Sequence, residues 1–182
     1  GDVMEDNATE DSAPSRDGLE GDTPDTITPG GGPITVTLER SDDGWQLIRG
    51  GLPYTVLGAG IGDDIDLDVL KAYGGNSLRT WGVSETTGAL LDAAHERGLT
   101  VMVGIWLGHP ERGFDYGDAD AVAAQLAEAT DWVMAYKDHP AVLAWGVGNE
   151  VNIAFDEPEH WIAINDVAQM IQDIDPHHPT VS

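Results

Sequence analysis

The chain has 182 residues, enough for one ordinary domain, with 33 acids against eight bases (net charge −25), 41% hydrophobic residues and no cysteine. A disulfide scaffold and a thiolate-held metal are thereby excluded, and nucleic acid or an anionic membrane surface is disfavoured because its phosphates would be repelled. No apolar run is long enough to cross a bilayer, yet the apolar fraction suffices for a core.

Residues 1–32 stand apart, with nine acids, one arginine and almost no large apolar side chain. Such a stretch cannot bury enough surface to offset its ordering entropy, so it reads as a disordered acidic tail or linker ahead of a folded part at 33–182. The remaining 150 residues still hold 24 acids against seven bases, and lysine occurs only at Lys71 and Lys137. So acidic a surface implies adaptation to high salt, which screens self-repulsion; an acidic protein from an ordinary environment is the alternative. A flexible acidic leader that starts at Gly fits a processed protein, extracellular or tethered to the cell surface, or else a trimmed start.

From Pro33 the chain turns to short strands. Residues 34–40 alternate with a period of two, 41–44 form a turn, and 45–49 resume the alternation, which predicts a hairpin leading into the apolar run 54–58. Ile65, Val69 and Tyr73 lie at helical spacing, closed by Gly74 and Gly75. Residues 77–83 read as a strand and 86–97 as a helix with Gly98 just past its end. Residues 100–107 form a nearly continuous apolar run, as in a strand covered on both faces. Val122, Leu126, Ala129, Val133 and Tyr136 mark a long amphipathic helix. Residues 141–147 form another buried run, and Ile164, Val167, Ile171 and Ile174 mark a helix entered through Asp156, Glu157 and Pro158. Thr180 and Val181 begin a final strand. This alternation specifies a parallel sheet packed by helices, either doubly wound or a (β/α)8 barrel. Both place function at the carboxyl ends of the strands.

The strand ends carry the chemistry. Gly58, Gly60 and Gly62 lack the spacing of a dinucleotide loop, and Asp63 and Asp64 would repel a pyrophosphate; a plain turn is the better reading. Arg79 ends the second strand and needs a carboxylate or water for its donors, with Trp81 two residues on. Trp106 and His109 follow the third strand, where an aromatic face suits stacking on a sugar ring, and Phe114 and Tyr116 offer a rim to the same cleft. The fourth strand runs into Asn149 and Glu150. A carboxylate there is costly to ionise unless it is paired or opens on a cleft, and a value raised by burial is what a general acid requires. Asn149 offers a neutral donor and acceptor to a hydroxyl. Glu159 with His160, and His177 with His178, give no helical pair of metal ligands, so no metal and no cofactor is assigned.

Residues 74–81 (GGNSLRTW), 99–109 (LTVMVGIWLGH) and 139–152 (HPAVLAWGVGNEVN) resemble the second, third and fourth barrel strands of clan A glycoside hydrolases. The lead-in at 45–60 resembles the segment that opens the catalytic barrel of the family 2 type. The resemblance spans residues 45–182, and the Asn-Glu pair with its HPAVLAW approach is its specific part. It implies a (β/α)8 TIM barrel, present as its first four βα units and the start of strand five. It further implies a retaining β-glycoside hydrolase acting on an oligo- or polysaccharide by double displacement. Glu150 would be the catalytic acid/base, Asn149 would bind the sugar 2-hydroxyl, and Arg79 would support the nucleophile carboxylate. Trp81, His109 and Trp106 would contact substrate. The family's nucleophile, a Glu at the end of strand seven, has no counterpart here, and the expectation is a fragment whose other barrel half lies elsewhere. A β-glucan transglycosidase and a non-catalytic carbohydrate-binding barrel are the alternatives.

Overall fold

Period-two alternation produces the expected hairpin. β1 (Val36–Ser41) pairs antiparallel with β2 (Gly44–Arg49), which pairs in turn with the two-residue β3 (Leu52–Pro53). The computed structural model of the protein describes residues 31–42, 44–62, 65–151 and 158–182. Most of the acidic stretch, Asp63 and Asp64, and the Asp156-Glu157 approach to the last helix lie outside the described residues.

The remaining strands are β4 (Gly58–Gly60), β5 (Ser77–Arg79), β6 (Thr100–Ile105), β7 (Val142–Val147) and β8 (Thr180–Val181). They form one parallel sheet in strict sequence order. Between them run α1 (Leu67–Ala72), α2 (Thr87–Glu96), α3 (Ala119–Tyr136) and α4 (Pro158–Ile174). Local chemistry sets several helix ends. The Asp66 carboxylate accepts from the amides of Asp68 and Val69, and that of Asp118 accepts from Asp120 and Ala121, each satisfying donors a helix start leaves free. Gly98, at φ 69°, terminates α2 in the left-handed region.

Strand order without a reversal means that right-handed crossovers keep the helices on one side of the sheet. The core agrees: Leu78, Val101, Val103, Ile105, Trp145 and Val147 pack with Leu91, Val133 and Ile171. Burying each large aliphatic side chain contributes about 1.5–3 kcal/mol. By alternation, Arg79, Met102, Gly104, Ala144 and Gly146 belong to the opposite face. The register slips at β7, where Val142 pairs with Val101 but Ala144 pairs with Met102, so Leu143 is an extra, bulged residue.

The hairpin lies across the amino ends of these strands. Val36 N–H donates to the carbonyl of His177 (2.8 Å), just before β8. Arg49 Nη2 donates to the carbonyl of Pro140 (2.8 Å), just before β7. The Tyr54 hydroxyl donates to the carbonyl of Asn76 (2.9 Å) and lies 3.0 Å from the hydroxyl of Thr100, at the starts of β5 and β6. The hairpin and Tyr54 thus cover the amino ends of the strands.

The five described strands form an open parallel sheet with β4 and β8 at its edges, the extent expected of four βα units and the start of a fifth strand; closing a barrel takes eight strands. Two expectations change. The first strand, read from the apolar run 54–58 into the glycines after it, is confined to Gly58–Gly60, because the Asn76 side chain occupies the preceding backbone. Its Oδ1 accepts from Leu57 N–H and its Nδ2 donates to the Thr55 carbonyl, both at 2.8 Å. The strand expected to reach Val83 stops at Arg79, after which the chain turns across the end of β6.

Candidate active site

Glycines let the carboxyl strand ends approach closely. A Cβ on Gly104 would fall 2.3 Å from the carbonyl oxygen of Thr80 and 2.6 Å from that of Trp81, so only glycine lets the end of β5 rest on β6. A Cβ on Gly60 would meet the Trp81 ring at 2.7 Å. Trp81 therefore lies over the end of β4. The glycines first compared with a nucleotide loop are explained in part by this packing.

Arg79 connects the strand ends. Its guanidinium carbon sits 4.9 Å from the centroid of the Trp81 ring, a cation–π contact. Its Nη2 donates to Asn149 Oδ1 at 3.3 Å, linking the end of β5 to the turn after β7. Arg79 Nε is buried and has no hydrogen-bond partner among the described residues. With Oδ1 engaged by Arg79, the Asn149 side-chain N–H2 remains as the donor a ligand can use.

The turn after β7 folds tightly. Gly148 N–H donates to the carbonyl of Ile105 (2.8 Å), Gly148 has φ 76°, and a Cβ there would lie 2.2 Å from Val151 Cγ1. Glu150 comes two residues later at φ 53°, the one non-glycine residue with positive φ among the described residues. That conformation costs about 1–3 kcal/mol and persists only where its surroundings impose it. Glu150 is exposed, so it is not the buried carboxylate that its place after a buried strand suggested.

Beyond β6, Trp106 and His109 stack with centroids 5.0 Å apart at 17°, and the Arg112 guanidinium lies 5.6 Å from the Trp106 ring. One face of Trp106 is therefore occupied by His109. A short 3₁₀ turn (Pro110–Arg112) comes next, ending at Gly113. Phe114 is half-buried, but Tyr116 is buried and does not form the expected rim. Its hydroxyl donates to the carbonyl of Gly108 (2.8 Å), and burial pushes its phenol above the ordinary value despite an opposing hydrogen bond with Gln125. Gly108 N–H donates to Gln125 Oε1 at 2.6 Å.

The histidines set aside as metal ligands are engaged otherwise. His160 is buried with Nε2 2.7 Å from the carbonyl of Val151. His178 Nδ1 donates to Asp175 Oδ2 (2.8 Å), which also accepts from Trp145 Nε1 (2.7 Å). Among the described residues no three His, Asp or Glu side chains gather as a metal site, and no helix is long and apolar enough to cross a membrane. The structure thus brings Arg79, Trp81 and Asn149 into one connected group, sets Glu150 beside it in sequence, and pairs Trp106 with His109. Sequence reasoning missed the supporting role of Gly60, Gly104, Tyr116 and His160. A glycine spaced along a buried strand was the only signal for any of them.

No family model and no curated protein matches the chain. Solved structures do. An exo-chitosanase, CsxA, of Amycolatopsis orientalis matches with TM-score 0.56 at 19% identity, over 81% of this chain and 19% of that one. A glycosyl hydrolase family 2 member from Bacteroides cellulosilyticus matches with TM-score 0.60 at 22% identity, over 81% and 20%. A β-D-mannosidase from Dictyoglomus thermophilum matches with TM-score 0.61 at 15% identity, over 82% and 21%. The chain spans about a fifth of the length of these proteins, and at such identities the likeness establishes a shared fold: the parallel α/β architecture found in glycoside hydrolases.

Proposed function

We propose that this chain is the amino-terminal half of the (β/α)8 catalytic barrel of a retaining β-glycoside hydrolase of the clan A, family 2 type. The observation that carries the reading is the Arg79–Asn149 hydrogen bond at 3.3 Å. It joins two strand ends on the open side of the sheet, with Glu150 next in the chain. The singly wound strand order and the shared fold with glycoside hydrolases support it.

In this reading Glu150 protonates the leaving glycosidic oxygen. A second carboxylate, outside this chain and about 5–5.5 Å away, attacks the anomeric carbon and forms a covalent glycosyl-enzyme. Glu150, now a carboxylate, takes a proton from water, which attacks the anomeric carbon and releases the sugar with its configuration retained. The Asn149 N–H2 donates to the substrate 2-hydroxyl, held in that orientation by Arg79. Arg79 also has donors to spare for the nucleophile carboxylate. Trp106 and His109, stacked on one another beyond β6, contact the sugar from the outer side of that pair. Trp81 serves chiefly to seat Arg79. The substrate class is an oligo- or polysaccharide. The test is Glu150→Gln in the protein carrying the complete barrel. Turnover of glycosides with poor leaving groups should fall about 10²–10⁴-fold, the usual contribution of a general acid, and unchanged turnover refutes the assignment.

A further inference from the structure

The conformation of Glu150 requires an explanation outside its own side chain, which is exposed. Its φ is 53°, and the next residue, Val151, is anchored through its backbone. The carbonyl of Val151 lies 2.7 Å from Nε2 of His160. A carbonyl oxygen only accepts, so the ring carries its proton on Nε2 and donates. His160 lies in the first turn of α4 and is 2% exposed. The Tyr116 ring meets it edge-on, centroids 4.6 Å apart at 85°. Tyr116 itself is tied through its hydroxyl to the carbonyl of Gly108, whose amide is held by Gln125 of α3. The loops after β6 and β7 therefore share one buried anchor, which reaches the chain one residue beyond the exposed carboxylate.

We propose that His160 is a positioning residue for Glu150, acting through the Val151 carbonyl, and that Tyr116 couples this anchor to the loop after β6. The proposal rests on the reading of Glu150 as the acid/base. When the anchor is lost, the backbone at Glu150 relaxes out of the left-handed region and carries the carboxyl group away from the leaving oxygen. Proton delivery then fails while sugar binding persists.

The experiment measures kcat and KM, in the protein carrying the complete barrel, on aryl β-glycosides of graded leaving-group pKa. His160→Phe keeps a ring against Tyr116 and removes the donor; His160→Gln keeps an amide donor. The expected result for His160→Phe is a loss in kcat/KM, which reports the glycosylation step, of about 10²-fold on poor leaving groups and within about threefold on a dinitrophenyl glycoside, where the weakened base lowers kcat and KM together. His160→Gln should recover most of the loss. A loss independent of the leaving group, or full activity in a folded His160→Phe protein, overturns the proposal. So does failure of His160→Gln to recover any activity when its melt matches the parent. If His160→Phe does not fold, Tyr116→Phe carries the test. It keeps the ring against His160, removes the hydroxyl's bonds to Gly108 and Gln125, and should show a weaker loss with the same leaving-group dependence; a loss without that dependence overturns the coupling. Glu150→Gln is measured alongside. Should its own loss ignore the leaving group, the acid/base reading fails. Should it depend on the leaving group while the His160→Phe loss does not, only the positioning role fails.

Discussion

Asp175 holds the strand that carries the candidate site, and its removal has a calculable effect. Its side chain is wholly buried. It accepts from Trp145 Nε1 at 2.7 Å, from His178 Nδ1 at 2.8 Å and from the His177 amide at 2.9 Å. Trp145 belongs to β7, so the carboxylate ties that strand to the turn between α4 and β8. Asp175→Ala leaves three donors without their acceptor. Each unsatisfied buried donor costs about 1–3 kcal/mol, and breaking a buried charged network costs about 3–5 kcal/mol as a whole. Asp175→Asn keeps the shape but sets an amide donor against one of the three, for a loss of about 1–3 kcal/mol. Urea unfolding of the intact protein, followed by tryptophan fluorescence, measures both, with Trp145 as a local reporter. The pH dependence gives a second reading. Burial pushes the Asp175 carboxyl up, but the hydrogen bonds from His178 and Trp145 outweigh it and hold the group below the ordinary value. Because the unfolded chain takes up the proton first, this stabilisation is complete above the pKa of an unfolded Asp, about 3.9, and is lost as pH falls through the lower folded value. Asp175→Asn should remove that acid-side slope. A change below about 0.5 kcal/mol for Asp175→Ala, the range of an inert surface substitution, would refute the reasoning.

Two further outcomes are expected. Asn149→Asp turns the Arg79 contact into an ion pair and removes the N–H2 donor; the melting temperature should hold or rise while kcat/KM falls about 10²-fold, the usual effect of losing one preorganised donor. With a 2-deoxy glycoside the difference from the parent should vanish, and a persisting difference contradicts the assigned contact. Burial pushes His139 below its ordinary value against the opposing pull of Asp92, and its Nδ1 accepts from the Ala141 amide. Stability from this neutral ring is therefore complete above the pKa of an unfolded His, about 6.5, and is lost as pH falls through the lower folded value. His139→Asn, which keeps an acceptor for Ala141, should flatten the stability profile below about pH 6.5 in denaturant titrations, and an unchanged slope contradicts the assignment.

Much of the fold was legible because its elements obey local periodicity. The hairpin alternates from Ile34, α3 repeats apolar residues from Val122 to Tyr136, and β6 and β7 are continuous apolar runs, so their types emerge from pattern alone. The start of β4 was not legible, because the side chain of Asn76 supplies hydrogen bonds that the apolar run at 54–58 would otherwise find in a sheet. That is a contact across about 20 residues with no local signature. Arg79, Asn149 and Glu150 were singled out as candidates because strand ends concentrate function. The contact between Arg79 and Asn149 was not, since it depends on how two strands are placed side by side. Tyr116 was misread as a cleft wall for the same reason, and His160, set aside as a metal ligand, gave no sign of its anchoring role; burial turns both into structural anchors.

The central claim, that Glu150 is the acid/base of a retaining double displacement, is tested most directly by Glu150→Ala with added azide. The small anion attacks the glycosyl-enzyme without needing a general base, so the account predicts azide-dependent recovery of turnover on an activated aryl glycoside and a β-glycosyl azide product. A Glu150→Ala protein that turns over poor leaving groups at the parent rate, or one that azide does not accelerate while the glycosyl-enzyme accumulates, would contradict it.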